Sequence, residues 1–60
     1  MDKVEFRELL QYLLDEEQAV SGDISAVNTY EEGGYMTADE GLTVTMQDGS
    51  KFQLTIVQER

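Results

Sequence analysis

Along the first twenty residues, apolar side chains recur at helical spacing. Phe6, Leu9, Leu10, Leu13 and Val20 fall on one face, which predicts an amphipathic helix over about residues 2–20. Asp2, followed three residues later by Glu5, fits a capping box with an acidic N-cap. Ser21-Gly22 supplies the stop, because glycine enters the left-handed C′ conformation without a Cβ clash. Beyond that point the period changes to two. Leu42, Val44 and Met46 alternate with Thr43 and Thr45, and Phe52, Leu54 and Ile56 alternate with Gln53 and Thr55. Such alternation predicts half-buried strands over about residues 42–46 and 50–57.

The turn between these strands sets their register. A two-residue Asp48-Gly49 loop would place Val44 opposite Gln53, apolar against polar. A three-residue Gln47-Asp48-Gly49 loop places Val44 opposite Phe52 and Leu42 opposite Leu54, with Gly49 as the left-handed residue of a G1 bulge. The second arrangement keeps one face apolar and is the expected one. A weaker strand is expected over about residues 23–30, then a turn at Glu31-Glu32-Gly33-Gly34. A short strand over about 35–37 would be broken by Ala38-Asp39-Glu40-Gly41.

These elements predict a single α+β domain over residues 1–60. Its N-terminal amphipathic helix would pack on one face of a three- or four-stranded antiparallel sheet. The expected core sets Leu10 and Leu13 against Val44, Leu54 and Ile56. The other face, with Thr43, Thr45, Gln53 and Thr55, is expected to be solvated.

Composition narrows the chemistry. The 60 residues contain no Cys and no His, which removes disulfides, thiolate nucleophiles and the usual zinc ligands together. Histidine is also the commonest general acid–base, and Ser21, Ser25 and Ser50 have none to activate them. Gly33-Gly34 lacks the GK[ST] ending of a phosphate loop, and Asp39-Glu40-Gly41 is too short for an EF-hand. The expectation is a protein that is not an enzyme and carries no cofactor and no metal. So small a domain buries a modest share of its surface, which leaves self-association, including a homodimer, as a route to stability.

Charge carries the strongest hint of function. Thirteen acidic residues against four basic ones give a formal net charge of −9. Nucleic acid and anionic membranes repel such a chain, whereas a basic protein surface attracts it. Solubility, or adaptation to high salt, would favour the same composition. Residues 1–20 hold no uninterrupted apolar run of signal-peptide type, and the expected address is cytoplasmic.

On the predicted helix, Glu5, Glu8, Tyr12, Asp15 and Glu16 share one side, within roughly 100° of arc. Like charges three and four residues apart oppose the helix slightly, and acids near its C-terminus oppose the macrodipole. Helix stability alone would not select this arrangement. Glu17 falls on the apolar face and is expected to reach out to solvent. Tyr30 and Tyr35 suit cross-strand packing, while Tyr12 lies off the apolar stripe and should be exposed. The expected partner-binding residues are Glu8, Tyr12, Asp15 and Glu16 on the helix. Glu31, Glu32, Tyr35, Asp39 and Glu40 in the turn regions complete the set. The function this implies is a small acidic binding protein that occupies a basic groove on a partner, for example a nucleic-acid-binding protein. Its sharpest form is a nucleic-acid mimic, similar in type to small phage-encoded anti-defence or regulatory inhibitors. The alternative is a structural protein that assembles into a homo-oligomer.

Overall fold

Helix α1 runs over Lys3–Ser21, and its ends are fixed by the residues that flank it. The Asp2 side chain accepts a hydrogen bond from the Glu5 amide at 2.9 Å, and the Glu5 carboxylate accepts from the Asp2 amide at 3.3 Å. This reciprocal capping box satisfies two amides that the helix itself leaves without partners. Gly22 closes the other end with φ 75°. The computed structural model describes residues 1–34 and 39–59, so the expected strand over 35–37, and Tyr35 with it, lies outside the described residues.

Among the described residues three strands follow: β1 over Ile24–Thr29, β2 over Glu40–Met46 and β3 over Lys51–Ile56. They form one antiparallel sheet in the order β1–β2–β3, so β2 is central. The hairpin register follows the apolar pattern. Val44 pairs with Phe52 and Leu42 with Leu54, and Gly49 takes φ 91° in the expected three-residue loop. The β1–β2 pairing is interrupted by a bulge between Ile24 and Ala26. A bulged residue loses its place in the ladder; here the Gln18 side-chain amide donates to the Ser25 carbonyl at 2.9 Å. Helix and bulge are thereby joined.

Two expectations about the core need correction. The helix lies over β1 and β2, not over β3. Of its residues, Arg7, Leu10, Gln11, Leu14 and Gln18 are partly buried, while Leu13 stays 54% exposed. Phe6, Leu9 and Val20 are also exposed, and so is Leu54 on β3. The physical reason lies in the paired leucines Leu9-Leu10 and Leu13-Leu14. They spread the apolar arc over roughly 140°, wider than one helix–sheet contact covers. The sheet takes the Leu10/Leu14 side of that arc and leaves the other side open.

The second correction concerns the opposite sheet face. Thr43 was expected to be solvated, yet it is 2% exposed. It stands on the central strand between Asn28 and Gln53. Near it the Tyr30 ring lies directly against Gly41, where a Cβ would collide with the ring and with the Leu54 carbonyl oxygen. The Tyr30 amide donates to the Gly41 carbonyl at 3.1 Å, and its hydroxyl meets Thr55 Oγ1 at 2.6 Å. Tyr30 is therefore the cross-strand packing residue expected of it, and this face holds part of the core.

Candidate functional site

At about 100° per residue, α1 divides into three faces. The sheet-facing strip holds Arg7, Leu10, Gln11, Leu14 and Gln18. Roughly 110° to one side lies the apolar flank of Phe6, Leu9, Leu13 and Val20. Roughly 130° to the other lies the acidic flank of Glu5, Glu8, Tyr12, Asp15 and Glu16. All five residues of the acidic flank are exposed. The helix thus brings together Glu8, Tyr12, Asp15 and Glu16, the first group of expected site residues. Among the described residues no ion pair reaches Asp15 or Glu16, and the last helical turn holds no basic residue.

Arg7 is a residue that the sequence did not single out. Its Nε donates to Glu40 Oε2 at 3.0 Å, its Nη1 to Gln11 Oε1 at 3.0 Å, and its Nη2 lies 3.9 Å from Glu8 Oε1. Side-chain exposure falls from 65% at Glu8 to 16% at Arg7, so the Glu40 contact is the sheltered one and the Glu8 contact the wet one. Glu40 was expected in a turn with Asp39. Instead it begins β2 and anchors the helix to the sheet through Arg7. Its carboxylate is committed inside the fold, because the strand's apolar face turns it under the helix. The sequence signal was a single arginine within an acidic helix.

The Glu31–Gly34 segment forms the expected turn, closed by the Gly33 amide on the Thr29 carbonyl at 2.9 Å. Glu31 is exposed within it. Glu32 is engaged: its carboxylate accepts from the Thr29 amide at 3.0 Å, and its own amide donates to Thr29 Oγ1 at 3.1 Å. The Thr29 backbone bond holds the Glu32 carboxyl below its ordinary pKa of 4.5, helped by the Thr29 side chain and by the charge of Arg7. A carboxyl with a lowered folded pKa stabilises the fold fully above its unfolded value and loses that effect as pH falls through the folded value. Glu32→Gln is therefore expected to lower stability near neutral pH and to make little difference in strong acid. Urea titrations of both proteins across that range check it. Asp39 is exposed and precedes β2. The structure thus gathers Glu8, Tyr12, Asp15 and Glu16 on one surface. It diverts Glu32 and Glu40 into local structure and leaves Glu31 at a separate turn.

The larger omission is apolar. Phe52 and Val57 are 55% and 79% exposed, alongside Leu54 on the same side of the sheet as Phe52. Phe6 lines a cleft with Ile56 and Val57, so the apolar flank of the helix looks toward β3. Exposure rises from half-buried Ile56 through Leu54 to Phe52, so the apolar surface beside the helix opens along β3 as a wedge. Among the described residues, no helix is long and apolar enough to cross a membrane. Compared with known proteins, the chain matches no family model, no curated protein and no solved structure.

Proposed function

We propose that this chain is a small non-enzymatic binding protein that presents its acidic helix flank to a basic surface on a partner protein. In its most specific form it acts as an inhibitor that occupies a nucleic-acid-binding groove, with carboxylates standing where phosphates would. The observation that carries this reading is the arrangement of Glu5, Glu8, Tyr12, Asp15 and Glu16. Five exposed side chains share one flank; Glu5 also caps the helix and Glu8 meets Arg7, while Asp15 and Glu16 have no ion pair among the described residues. Repulsion among the flank's carboxylates, and the place of Asp15 and Glu16 toward the negative end of the macrodipole, both oppose the helix slightly. Tyr12, 60% exposed at the centre, adds a large amphipathic contact of the type enriched at binding hot spots.

Reversing Asp15 and Glu16 together to Lys tests it. The fold should survive, because neither side chain touches the sheet and cations suit the C-terminal half of a helix. Partner binding should be lost or fall at least tenfold. Affinity capture from cell extract, with salt elution and circular dichroism of both proteins, reads the two effects separately. Retention of the same partner with the same salt dependence would reject the acidic flank as the contact surface.

A further inference from the structure

We infer that β3 pairs with β3 of a second copy of this chain, antiparallel about a two-fold axis, so that two sheets join into one of six strands and the apolar wedges close on each other. This stands apart from the acidic-flank reading, because it uses the β3 edge and the apolar flank of the helix instead. The first ground is backbone geometry. In the sheet order β1–β2–β3, β3 is an edge strand. The Met46 amide donates to the Ser50 carbonyl at 2.7 Å, which marks that pair as hydrogen-bonded. Antiparallel alternation then turns the backbone groups of Phe52, Leu54 and Ile56 toward β2, and those of Lys51, Gln53 and Thr55 outward. An edge of this kind is a template for another strand.

The second ground is chemical self-complementarity. A two-fold axis at Leu54 sets Leu54 opposite its own copy and Phe52 opposite Ile56 of the second chain. The wide end of each wedge meets the narrow end of the other, and every pair on the helix-covered face is apolar. The same register sets Gln53 opposite Thr55 on the other face, polar against polar. A two-fold contact must be self-complementary in this sense.

Charge is the third ground. Between Ser50 and Gln58 the only charged residue is Lys51, in a chain of net charge −9. The centre of the acidic flank is turned about 100° away around the helix, with Glu5 and Glu16 at its border with Leu9, and Glu17 lies on the apolar flank itself. The strand edge itself thus adds little direct repulsion, and the carboxylates beside the helical part of the surface are the ones that salt must screen. Area is the fourth. Phe6, Leu9, Leu13, Phe52, Leu54 and Val57 are each at least 40% exposed. Side chains of this size leave on the order of 500 Å² per copy, which brings a dimer to the lower bound of a specific interface.

Sedimentation equilibrium of the intact chain tests the inference in low and high salt. A dimer is expected at about 100 µM, tightening from about 0.1 M to about 1 M salt as long-range repulsion is screened. Salt would act in the reverse direction on an acidic flank bound to a basic partner. Gln53→Pro removes one outward amide and leaves the β2 ladder intact, so it should give a folded monomer. Leu54→Cys should form a disulfide-linked dimer on mild oxidation, in a chain that otherwise has no Cys. Should Gln53→Pro fail to fold, the Leu54→Cys cross-link decides. A wild-type monomer up to roughly 1 mM in both salts would overturn the inference and leave the wedge to a different protein. A dimer that yields no Leu54→Cys cross-link would overturn it as well, because the contact would then lie elsewhere.

Discussion

Gly41→Ala is expected to abolish the fold at room temperature. A Cβ at this position points into the Tyr30 ring and the Leu54 carbonyl oxygen at once. The ring has nowhere to move without breaking its contact with Thr55 and exposing a side chain that is 4% exposed. The carbonyl belongs to the neighbouring strand, and displacing it disturbs the β2–β3 ladder. Overpacking of this kind costs about 1–3 kcal/mol even where side chains can adjust, and more where backbone must move. A domain of this length has a total stability of roughly 3–9 kcal/mol. Far-ultraviolet circular dichroism of the variant should show no cooperative melt. A melt like that of the wild type would mean that the ring does not lie over Gly41.

The second large effect separates two leucines that look alike in sequence. Leu42 is fully buried on the central strand, so Leu42→Ala should cost about 2–5 kcal/mol through lost burial and the cavity left behind. That is most of the domain's stability. Leu13→Ala removes a side chain that is already half in water, and should cost about 1 kcal/mol or less. Denaturant midpoints of the two variants measure the contrast. Equal, large losses would place Leu13 in the core and return the helix to a position over β3. Equal, small losses would deny the central role of β2.

Local rules carried the helix boundaries and the hairpin, because each is decided by a few neighbouring residues. Asp2 and Glu5 specify one helix end, Gly22 the other, and Gly49 allows the loop that keeps Leu42, Val44, Phe52 and Leu54 on one side. The face on which the helix docks was harder to read. Leu9-Leu10 and Leu13-Leu14 give two almost equally apolar settings, and the choice rests on long-range partners such as Arg7 with Glu40 and Gln18 with Ser25. No periodicity reveals those pairs. Thr43 was misplaced for a related reason. Alternation assigns it to the polar face, but the sequence does not show that the Tyr30 ring covers that side of β2. At the candidate site, the helical carboxylates were legible because helical spacing alone brings them together. Glu40 and Glu32 were not, since their partners decide whether a carboxylate faces solvent or serves the fold.

These assignments leave an acidic helix flank whose Asp15 and Glu16 have no ion pair among the described residues. Its role is tested most directly by how affinity for a captured partner varies with salt, in the wild type and in the Asp15→Lys, Glu16→Lys double variant. Contacts between unlike charges weaken as ions screen them, chiefly through slower association. The wild type should lose affinity steeply between about 0.05 M and 0.5 M salt, while the double variant binds weakly throughout and shows a flatter dependence. Equal affinities with parallel salt dependence in both proteins would contradict the acidic flank as the binding surface.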